Sequence, residues 1–446
     1  MHYALLFFLW SNPSPLVTTP CPIPSSPPIH SITTEGLHRT LPRVVTRHIR
    51  QRTGEPFDCA TWEQEKIDWE NLEIFASVDV SATSTSEGLN IVYTFEELPR
   101  FFAFPAAKAT DQQGWSLGPG ASMLNILGRD IRLDFYIRTT VAPTPFLATE
   151  YMLYAQSHWT EDLPIEWILQ LTHVNSFNPV LEFEERSFIF ELELYHRLFS
   201  RFKLLYTADL QAIYHDASVP LFTPKKGVTH KMFLSDSDWD YVPKLGVGVA
   251  FDSRDQLFNP HRGIYQEVRL SQYGGFIGGP ATYLELLVDF KGYIPAFNND
   301  ILALSALGRY RPGTMGAYSF FYVGGSNTLR AYDTNSENYG QHELLGTTEY
   351  RLQFFERRPL NVWDSNVFYG IQWVFGADMA MLWQPENTTP QSLTSLYTGL
   401  HLLFPGFDRL RIEVGVHNFD EGLHHVQYGL SLGLYEKPLM QRQRIR

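Results

Sequence analysis

The side chains of this chain that could take part in chemistry are mainly carboxylates and arginines. Asp252, Arg254 and Asp255 lie close together and could form a metal or catalytic cluster, or a charged strand end with internal ion pairs. We expect the structural alternative. The 15 histidines contain no ligand-spaced pair, and the sequence has no glycine-rich phosphate loop or nucleophile elbow. The sequence therefore predicts a protein that is not an enzyme and that needs no metal or cofactor.

Composition narrows the class of protein further. The 446 residues are 15% aromatic and only 19% charged, which is too aromatic for a disordered chain. The longest run without a polar residue is about Ala4–Trp10, well short of the ~18 residues that a membrane-spanning helix needs. A net charge of −13 argues against binding to nucleic acid. Cys21 and Cys59 are too few for a disulfide framework or a four-thiolate metal site.

The amino-terminal residues 1–28 have the composition of a targeting segment followed by a linker. Tyr3–Trp10 is a short apolar stretch that suits an export signal better than an anchor, although the usual basic start is missing. The residues from 11 to 28 are rich in proline, serine and threonine. Cys21 could be lipidated, but the residues before it fit such a site poorly, and we expect an ordinary thiol.

Residues 29–98 form a separate small α/β module. A short strand begins at Ile29, and Thr40 and Asp58 are suited to cap two helices that follow it. Two further strands come next, so that the order is β-α-α-β-β. This order, together with the Gly54–Asp58 turn, resembles one POTRA (polypeptide-transport-associated) domain. Any other small α/β domain is the alternative that the pattern leaves open.

The remainder of the chain, residues 99–446, alternates apolar and polar side chains almost throughout. Such alternation predicts β-strands with one apolar face. A soluble sandwich would bury that face, whereas a membrane barrel turns it toward lipid. The even spacing, the aromatic residues near segment ends and the export-like start favour the barrel. We count sixteen segments: 100–108, 116–126, 130–141, 146–156, 164–174, 182–194, 201–214, 244–253, 263–272, 282–292, 300–310, 343–355, 366–380, 394–404, 408–417 and 425–435.

Several motifs occur in order along these segments. The long segment between two predicted strands resembles the sixth-loop motif of the BamA/TamA/Sam superfamily, also called the bacterial surface antigen family, in Gly324, Gly325, Leu329, Arg330, Ala331 and Tyr332. An earlier turn resembles that of the family in Asp252, Arg254, Asp255, Asn259, Pro260, Arg262 and Gly263. Gly376–Ala380 resembles its thirteenth-strand motif, and Gly346 with Glu349 its twelfth. The resemblance covers about residues 29–435 and implies a mainly β protein, a 16-stranded transmembrane antiparallel β-barrel preceded by one POTRA domain.

Alternation gives a test of this resemblance that uses only the residues. Glu349 and Asp378 fall on the polar face of their strands, because the residues that alternate with them along each strand are mainly aromatic or aliphatic, as in Tyr350, Leu352 and Phe354. The resemblance implies that the loop folds back into the barrel, where Arg330 could pair with both carboxylates. The alternative is an exposed arginine and two solvated acids. The chain departs from the family at Ala331, where the family has glycine, and at Gly376 and Ala380, where it prefers an aromatic residue and a glycine.

The resemblance implies that the protein assembles, inserts or translocates polypeptides at a bacterial outer membrane, with the POTRA domain in the periplasm. Expected partners are client outer-membrane or secreted polypeptides, membrane lipid, and periplasmic chaperones or accessory lipoproteins. A weak seam would lie between the first strand, which contains Pro105, and the last. The residues of that last strand are Tyr428, Gly429, Leu430, Leu432, Gly433 and Leu434.

Other functions stay open from the sequence alone. A two-partner-secretion pore shares the architecture but usually carries two soluble modules, whereas this chain has one. A passive porin and an outer-membrane lipase are further alternatives, and no lipid-facing serine, histidine and acid set can be assembled for the second. A single module also resembles the mitochondrial homologue, so a mitochondrial outer membrane is the second location.

Overall fold

The structure is a computed structural model. It describes residues 23, 27–110, 114–142, 148–158, 163–178, 180–199, 201–215, 221–224, 228–257, 259–325, 328–332, 334–362, 365–404, 408–417 and 427–434. Most of the predicted targeting segment, with Cys21, lies outside these residues. Among the described helices, none is long and apolar enough to cross a membrane.

The first part of the chain is a small α/β domain. Its elements are β1 (Ile29–Glu35), α1 (Pro42–Thr46), α2 (Cys59–Glu70), β2 (Phe75–Thr85) and β3 (Gly88–Glu97). The three strands form one sheet in the order β1-β3-β2, with β1 parallel and β2 antiparallel to β3. Trp69 is fully buried against Tyr93 at a ring-centroid distance of 5.1 Å. Because three strands alone bury little surface, these aromatic contacts supply much of the domain's core.

The two predicted helix caps have different outcomes. Asp58 caps α2 as predicted, since its carboxylate accepts a hydrogen bond of 2.9 Å from the backbone N–H of Thr61. The prediction for Thr40 is wrong, because α1 has Leu41 at its N-cap and no side-chain cap. The hydroxyl of Thr40 instead donates to the carboxylate of Glu97 at 2.6 Å. A tertiary partner at the end of β3 therefore replaces the local hydrogen bond.

The second part of the chain is a large antiparallel sheet. Its sixteen long strands are β4 (Phe101–Thr110), β5 (Gly114–Ile126), β6 (Ile131–Ala142), β7 (Thr149–Ser157), β8 (Ile165–Asn178), β9 (Phe183–Arg197), β10 (Phe202–Tyr214), β13 (Trp239–Asp252), β14 (Gly263–Gly274), β15 (Thr282–Pro295), β16 (Ile301–Tyr310), β20 (His342–Val362), β21 (Ser365–Trp383), β22 (Gln391–Phe404), β23 (Asp408–His417) and β24 (Gln427–Leu434). The short strands are β11 (Leu221–Phe222), β12 (His230–Lys231), β17 (Gly313–Thr314), β18 (Phe321–Tyr322) and β19 (Tyr339–Gly340).

Each of the sixteen predicted segments overlaps one long strand. The largest difference is at β20 and β21. Strand β20 continues to Val362 and β21 begins at Ser365, because the two strands remain paired beyond the predicted end of the first. The first strand runs through Pro105, which lies opposite Pro119 in the register of β4 and β5. Neighbouring long strands pair in sequence order from β4 to β24.

The two faces of the large sheet differ sharply in chemistry. On one face, large apolar side chains are exposed along successive strands, as in Leu245, Val247 and Val249 of β13. On the other face, charged side chains are buried and paired, for example Arg269 with Glu193 at 2.9 Å. This is the reverse of a soluble sandwich, which would bury the apolar face.

The small domain contacts turns at one end of the large sheet. Its contacts are hydrogen bonds and ion pairs: Arg132 to Glu73 at 2.8 Å, Asn125 to Thr40 at 2.7 Å, the N–H of Leu41 to the carbonyl of Gly128 at 3.0 Å, and the N–H of Leu257 to Asn71 at 3.1 Å. These bonds fix which end of the sheet faces the small domain.

Acidification should weaken the small domain through His48, which follows α1. Burial, together with the nearby charges of Arg47 and Arg197, lowers the pKa of His48 to about 3. Between the ordinary pKa near 6.5 and that value, the unfolded chain binds a proton that the folded His48 does not, so stability falls as pH falls. One such group gives a slope of about 1.4 kcal/mol per pH unit. The urea midpoint of the small domain, followed by tryptophan fluorescence, measures this slope.

The matched variant for this experiment is His48→Gln, which keeps a polar side chain that does not titrate. Burial lowers the pKa of His158, but the charges of Asp130, Glu166 and Glu73 and a hydrogen bond to Asp130 together raise it above the ordinary value, so that His158 contributes the opposite slope. The variant leaves that contribution in place, so the difference between the two proteins isolates His48. Equal slopes in the two proteins would contradict the prediction.

Candidate functional site

The segment between β16 and β20 turns back onto the polar face of the large sheet. Gly324 and Gly325 both have positive φ angles, and the N–H of Gly325 bonds to the carbonyl of Tyr332 at 2.5 Å. Only glycine adopts such angles at little cost, which explains the glycine pair. Leu329 is completely buried and packs with apolar residues of β15, β16, β20 and β21. The turn and this anchor together hold the residue that follows, Arg330, against the sheet.

Arg330 is 7% exposed and makes the central contacts of the site. Its Nε and Nη2 donate to the two carboxylate oxygens of Asp378 at 2.8 and 2.7 Å, in a bidentate fork. Its Nη1 donates to Glu349 at 3.2 Å and to Glu413 at 3.0 Å. The backbone N–H of Arg330 also donates to Asp378 at 3.1 Å, so the main chain is fixed as well as the side chain.

Four consecutive strands each supply one residue around this guanidinium. Glu349 lies on β20, Asp378 on β21, Tyr397 on β22 and Glu413 on β23. Sheet register explains the convergence, because Glu349 lies opposite Gly376, which in turn lies opposite Tyr397. Side chains at paired positions point to the same face.

The charges of the site balance. Arg351 donates to Glu349 at 2.5 Å, and Arg411 lies 3.8 Å from Glu413. With Arg330 there are three guanidinium groups and three carboxylates, all buried. A buried cluster of this kind is tolerated only when its charges are paired and hydrogen-bonded.

Three of these residues could hold a metal ion by distance alone. Glu349, His401 and Glu413 each offer a ligand atom within 4.8 Å of the others. However, Nη1 of Arg330 contacts both carboxylates and takes the position that a cation would need. The donor set is therefore satisfied by a guanidinium, and the ring of His401 lies 2.9 Å from Glu413 as part of the same network.

Tyr397 was not anticipated from the sequence, and it accounts for the glycine at position 376. The guanidinium carbon of Arg330 lies 3.5 Å from the centre of the Tyr397 ring, and the tyrosine hydroxyl donates to Glu349 at 2.9 Å. A Cβ at Gly376 would lie 2.2 Å from this ring. The ring beside Arg330 is thus supplied by β22, whereas the resemblance led us to expect an aromatic residue at position 376 of β21.

Ala331 adopts a strained backbone conformation. Its φ angle is +75°, which a non-glycine residue adopts at a cost of about 1–2 kcal/mol. Its methyl group lies over Gly415, where a Cβ would be 2.7 Å away. The alanine that departs from the family motif is therefore accommodated by a glycine on β23.

Changing Ala331 should shift stability in opposite directions with different side chains. Ala331→Gly removes the backbone strain and should stabilise the folded loop by about 0.5 kcal/mol after the entropy of the glycine is counted. Ala331→Val should destabilise it by more than 1 kcal/mol, because a β-branched residue is disfavoured at positive φ. The temperature at which the folded protein loses its fast electrophoretic mobility measures both effects. The same transition temperature for both variants would contradict the prediction that the backbone of Ala331 is strained.

The earlier turn motif forms a connection between β13 and β14 rather than a reactive cluster. Arg254 pairs with both carboxylate oxygens of Asp252 at 2.9 and 2.8 Å. Asp255 accepts backbone N–H bonds from the turn, including one of 3.0 Å from His261. The turn also contains Pro260, Arg262 and Gly263, of which Gly263 has a φ of +101°.

Asn259 connects this turn motif to the distal strands. Its Oδ1 atom accepts a hydrogen bond of 2.9 Å from Gln372 of β21. Gln372 also donates to Gln353 of β20 at 2.9 Å. The turn therefore shares strands with the site but does not contact Arg330 among the residues that the structure describes.

The last strand, β24, pairs antiparallel with β23. Its backbone register places Tyr428 opposite Val416 and Gly429 opposite Gly415, with Leu430, Leu432, Gly433 and Leu434 following in step. The arginine-rich tail after the strand lies outside the described residues.

These features define a class: a large antiparallel sheet with an apolar outer face and a loop arginine fixed among acids on its polar face. Residues 129–433 match the Omp85 superfamily domain, and the chain belongs to that superfamily of outer-membrane proteins. The sequence resemblance to the BamA/TamA/Sam superfamily is thereby confirmed.

Solved structures agree on the fold. BamA from Haemophilus ducreyi lacking POTRA domains 1–3 is similar at 13% identity, with 91% of this chain and 82% of that chain covered and a TM-score of 0.54. CdiB from Acinetobacter baumannii is similar at 14% identity, with 91% and 74% covered and a TM-score of 0.57. CdiB from Escherichia coli is similar at 13% identity, with 92% and 75% covered and a TM-score of 0.59. No curated protein matches the sequence.

Proposed function

We propose that this protein is a 16-stranded transmembrane β-barrel of the bacterial outer membrane that inserts or assembles other polypeptides there. The observation that carries the proposal is the fixed position of Arg330 against Asp378, Glu349 and Glu413. Through this one arginine the loop is bonded to β20, β21 and β23, which would hold that side of the wall in a defined state.

The faces and edges of the large sheet support a closed barrel. Exposed aliphatic and aromatic side chains on one face suit contact with lipid. The strand order brings β24 next to β4, so that pairing of these two strands would leave no free edge in the membrane.

The small domain supports the periplasmic part of the proposal. Its order of elements resembles that of a POTRA domain, and it contacts one end of the large sheet. Cys59 is disulfide-bonded, which is typical of an oxidising compartment such as the periplasm. Both β1 and β2 are edge strands, which could accept an extended client segment as an added strand.

We propose that client chains are inserted at the seam between β4 and β24. A strand entering lipid must not carry unpaired backbone groups, each of which costs several kcal/mol. Pro105 has no backbone N–H to donate from β4, and β24 contains Gly429 and Gly433, a residue type that weakens strands. Temporary opening of this closure would expose two strand edges with which a client strand could pair, and burial of the client in lipid would drive insertion without nucleotide. Periplasmic chaperones or accessory lipoproteins would deliver the clients.

Depletion of the protein followed by mass spectrometry of the outer membrane tests the proposal. An insertase should lose several unrelated barrel proteins, and re-expression of the wild type should restore them. Loss of a single secreted protein with an unchanged outer membrane would instead indicate a two-partner-secretion pore, the second candidate. A passive porin would give neither result but a steady conductance in planar bilayers that does not depend on Arg330. Depletion of the protein followed by mass spectrometry of the mitochondrial outer membrane would test the alternative location.

A further inference from the structure

A cavity of about 210 Å³ lies where the small domain meets the large sheet. It is lined from the small domain by Arg39, Ile74, Glu97 and Leu98, and from the sheet by Arg100, Leu124, Asn125, Leu127 and Gly128. The cavity therefore belongs to neither part alone. It also lies beside β4, the strand that the proposed function places at the seam.

The polar wall of the cavity carries net positive charge. Glu97 is buried, and its carboxylate is already bonded to Arg39 and to the N–H and hydroxyl of Thr40. The guanidinium of Arg39 donates one N–H to Glu97 at 3.1 Å and one to the carbonyl of Leu98 at 2.9 Å. Other donors remain on this exposed group. Arg100 is exposed as well. In a chain with a net charge of −13, a cavity with two available guanidinium groups selects an anion.

Apolar residues also line the cavity, and among them Leu127 reaches the surface. Leu127 is 70% exposed at the tip of the β5–β6 turn and has a φ of +56°, which is unusual for leucine. Phe101, at the start of β4, is 60% exposed and lies opposite Met123, which is also exposed. Phe101 and Met123 do not line the cavity, but they directly adjoin in sequence Arg100 and Leu124, which do, so the exposed apolar face of the sheet ends beside it. Exposed apolar groups beside arginines are typical of the interface between lipid chains and head groups.

We propose that this cavity binds the phosphate group of an anionic phospholipid from the periplasmic leaflet. The phosphate accepts hydrogen bonds from Arg39 and Arg100, and the acyl chains lie along Leu127 and Phe101. The bound lipid thereby joins the small domain to the base of the first strand. The inference rests on the membrane location proposed above.

Lipid retention in nanodiscs tests this inference. The protein is inserted into discs that contain phosphatidylglycerol and phosphatidylcholine, extracted, and weighed with its retained lipid by native mass spectrometry. Arg100→Gln removes one guanidinium and leaves the bonds between Arg39 and Glu97 intact. We expect about tenfold less retained phosphatidylglycerol, because a hydrogen-bonded charge contact contributes that much. The matched control is Arg52→Gln, which removes an exposed arginine of the same domain that does not line the cavity.

A second variant approaches the site from its apolar side. Leu127→Asp places a negative charge at the rim, and aspartate tolerates positive φ well, so the turn should fold. It should also lose phosphatidylglycerol. Equal retention in wild type, Arg100→Gln and Leu127→Asp would overturn the inference, and so would equal retention of phosphatidylcholine.

A final competition experiment distinguishes binding of lipid from binding of free phosphate. Inorganic phosphate at about 1 mM should not displace the bound lipid. This concentration lies below the dissociation constant expected for a small ion held by two arginines. Displacement would show that the cavity is a phosphate site and not a lipid site. Insertion into the discs is scored before lipid is counted, so a failure of the membrane location is distinguished from a failure of lipid binding.

Discussion

Replacing Arg330 with alanine should leave the protein in the outer membrane and abolish the client assembly that we propose for it. The truncation leaves Asp378, Glu349 and Glu413 with one partner fewer in a buried site. Removing one member of a buried charge network costs about 3–5 kcal/mol, which is enough to release the loop from the sheet. The barrel strands keep their backbone pairing, so membrane insertion should persist. Complementation of a depleted strain, with membrane fractionation of the variant, measures the two properties separately.

The control for this experiment is an arginine with the same charge in a different environment. Arg186 is exposed, and its Nη2 lies 3.9 Å from Glu184, a contact worth about 0–1 kcal/mol. Arg186→Ala should therefore complement fully. Arg330→Lys keeps the charge but loses the planar fork to Asp378, and we expect an intermediate phenotype. Full complementation by Arg330→Ala would show that the fixed position of Arg330 is not needed for activity and would contradict the proposed function.

The sequence predicted the strands well because each carries its own signal. Alternation along a segment shows which residues face the same side, and sixteen segments could be counted without knowing how they pair. Alternation also placed Glu349 and Asp378 on the polar face, where the structure has them in contact with Arg330. The loop motif gave the third member of that set. Local pattern and one resemblance were enough for these residues.

The remaining members of the site depend on pairing that no local pattern reveals. Glu413 lies on the polar face of its segment by alternation, but nothing in the sequence connects that segment with the loop. Tyr397 reaches Arg330 only because β22 pairs with β21 in a register that sets Tyr397 opposite Gly376. The predicted cap at Thr40 failed for a related reason, since its partner Glu97 is distant in sequence. Tertiary partners decide these cases, and local propensity does not.

The pairing of Gly376 with Tyr397 leads to the second large effect. Gly376→Phe alone should abolish activity, because its Cβ would lie 2.2 Å from the Tyr397 ring and the new ring needs the same space over Arg330. Tyr397→Gly alone should also impair activity, since it removes the ring stacked on the guanidinium and the hydrogen bond to Glu349. Each change should cost several kcal/mol at the loop, from overpacking in the first case and a lost buried contact in the second.

The double variant Gly376→Phe with Tyr397→Gly distinguishes a specific exchange from general damage. It moves one aromatic ring from β22 to β21 and restores stacking on Arg330 without the clash, so it should recover a large part of the activity lost by either single variant. Complementation efficiency of the four proteins is compared as a double-mutant cycle, and residues in direct contact should give effects that do not add. The tyrosine hydroxyl bond to Glu349 is not restored, so recovery should be incomplete. A double variant no better than its worse parent would show that Tyr397 does not stand in for the missing aromatic residue at position 376.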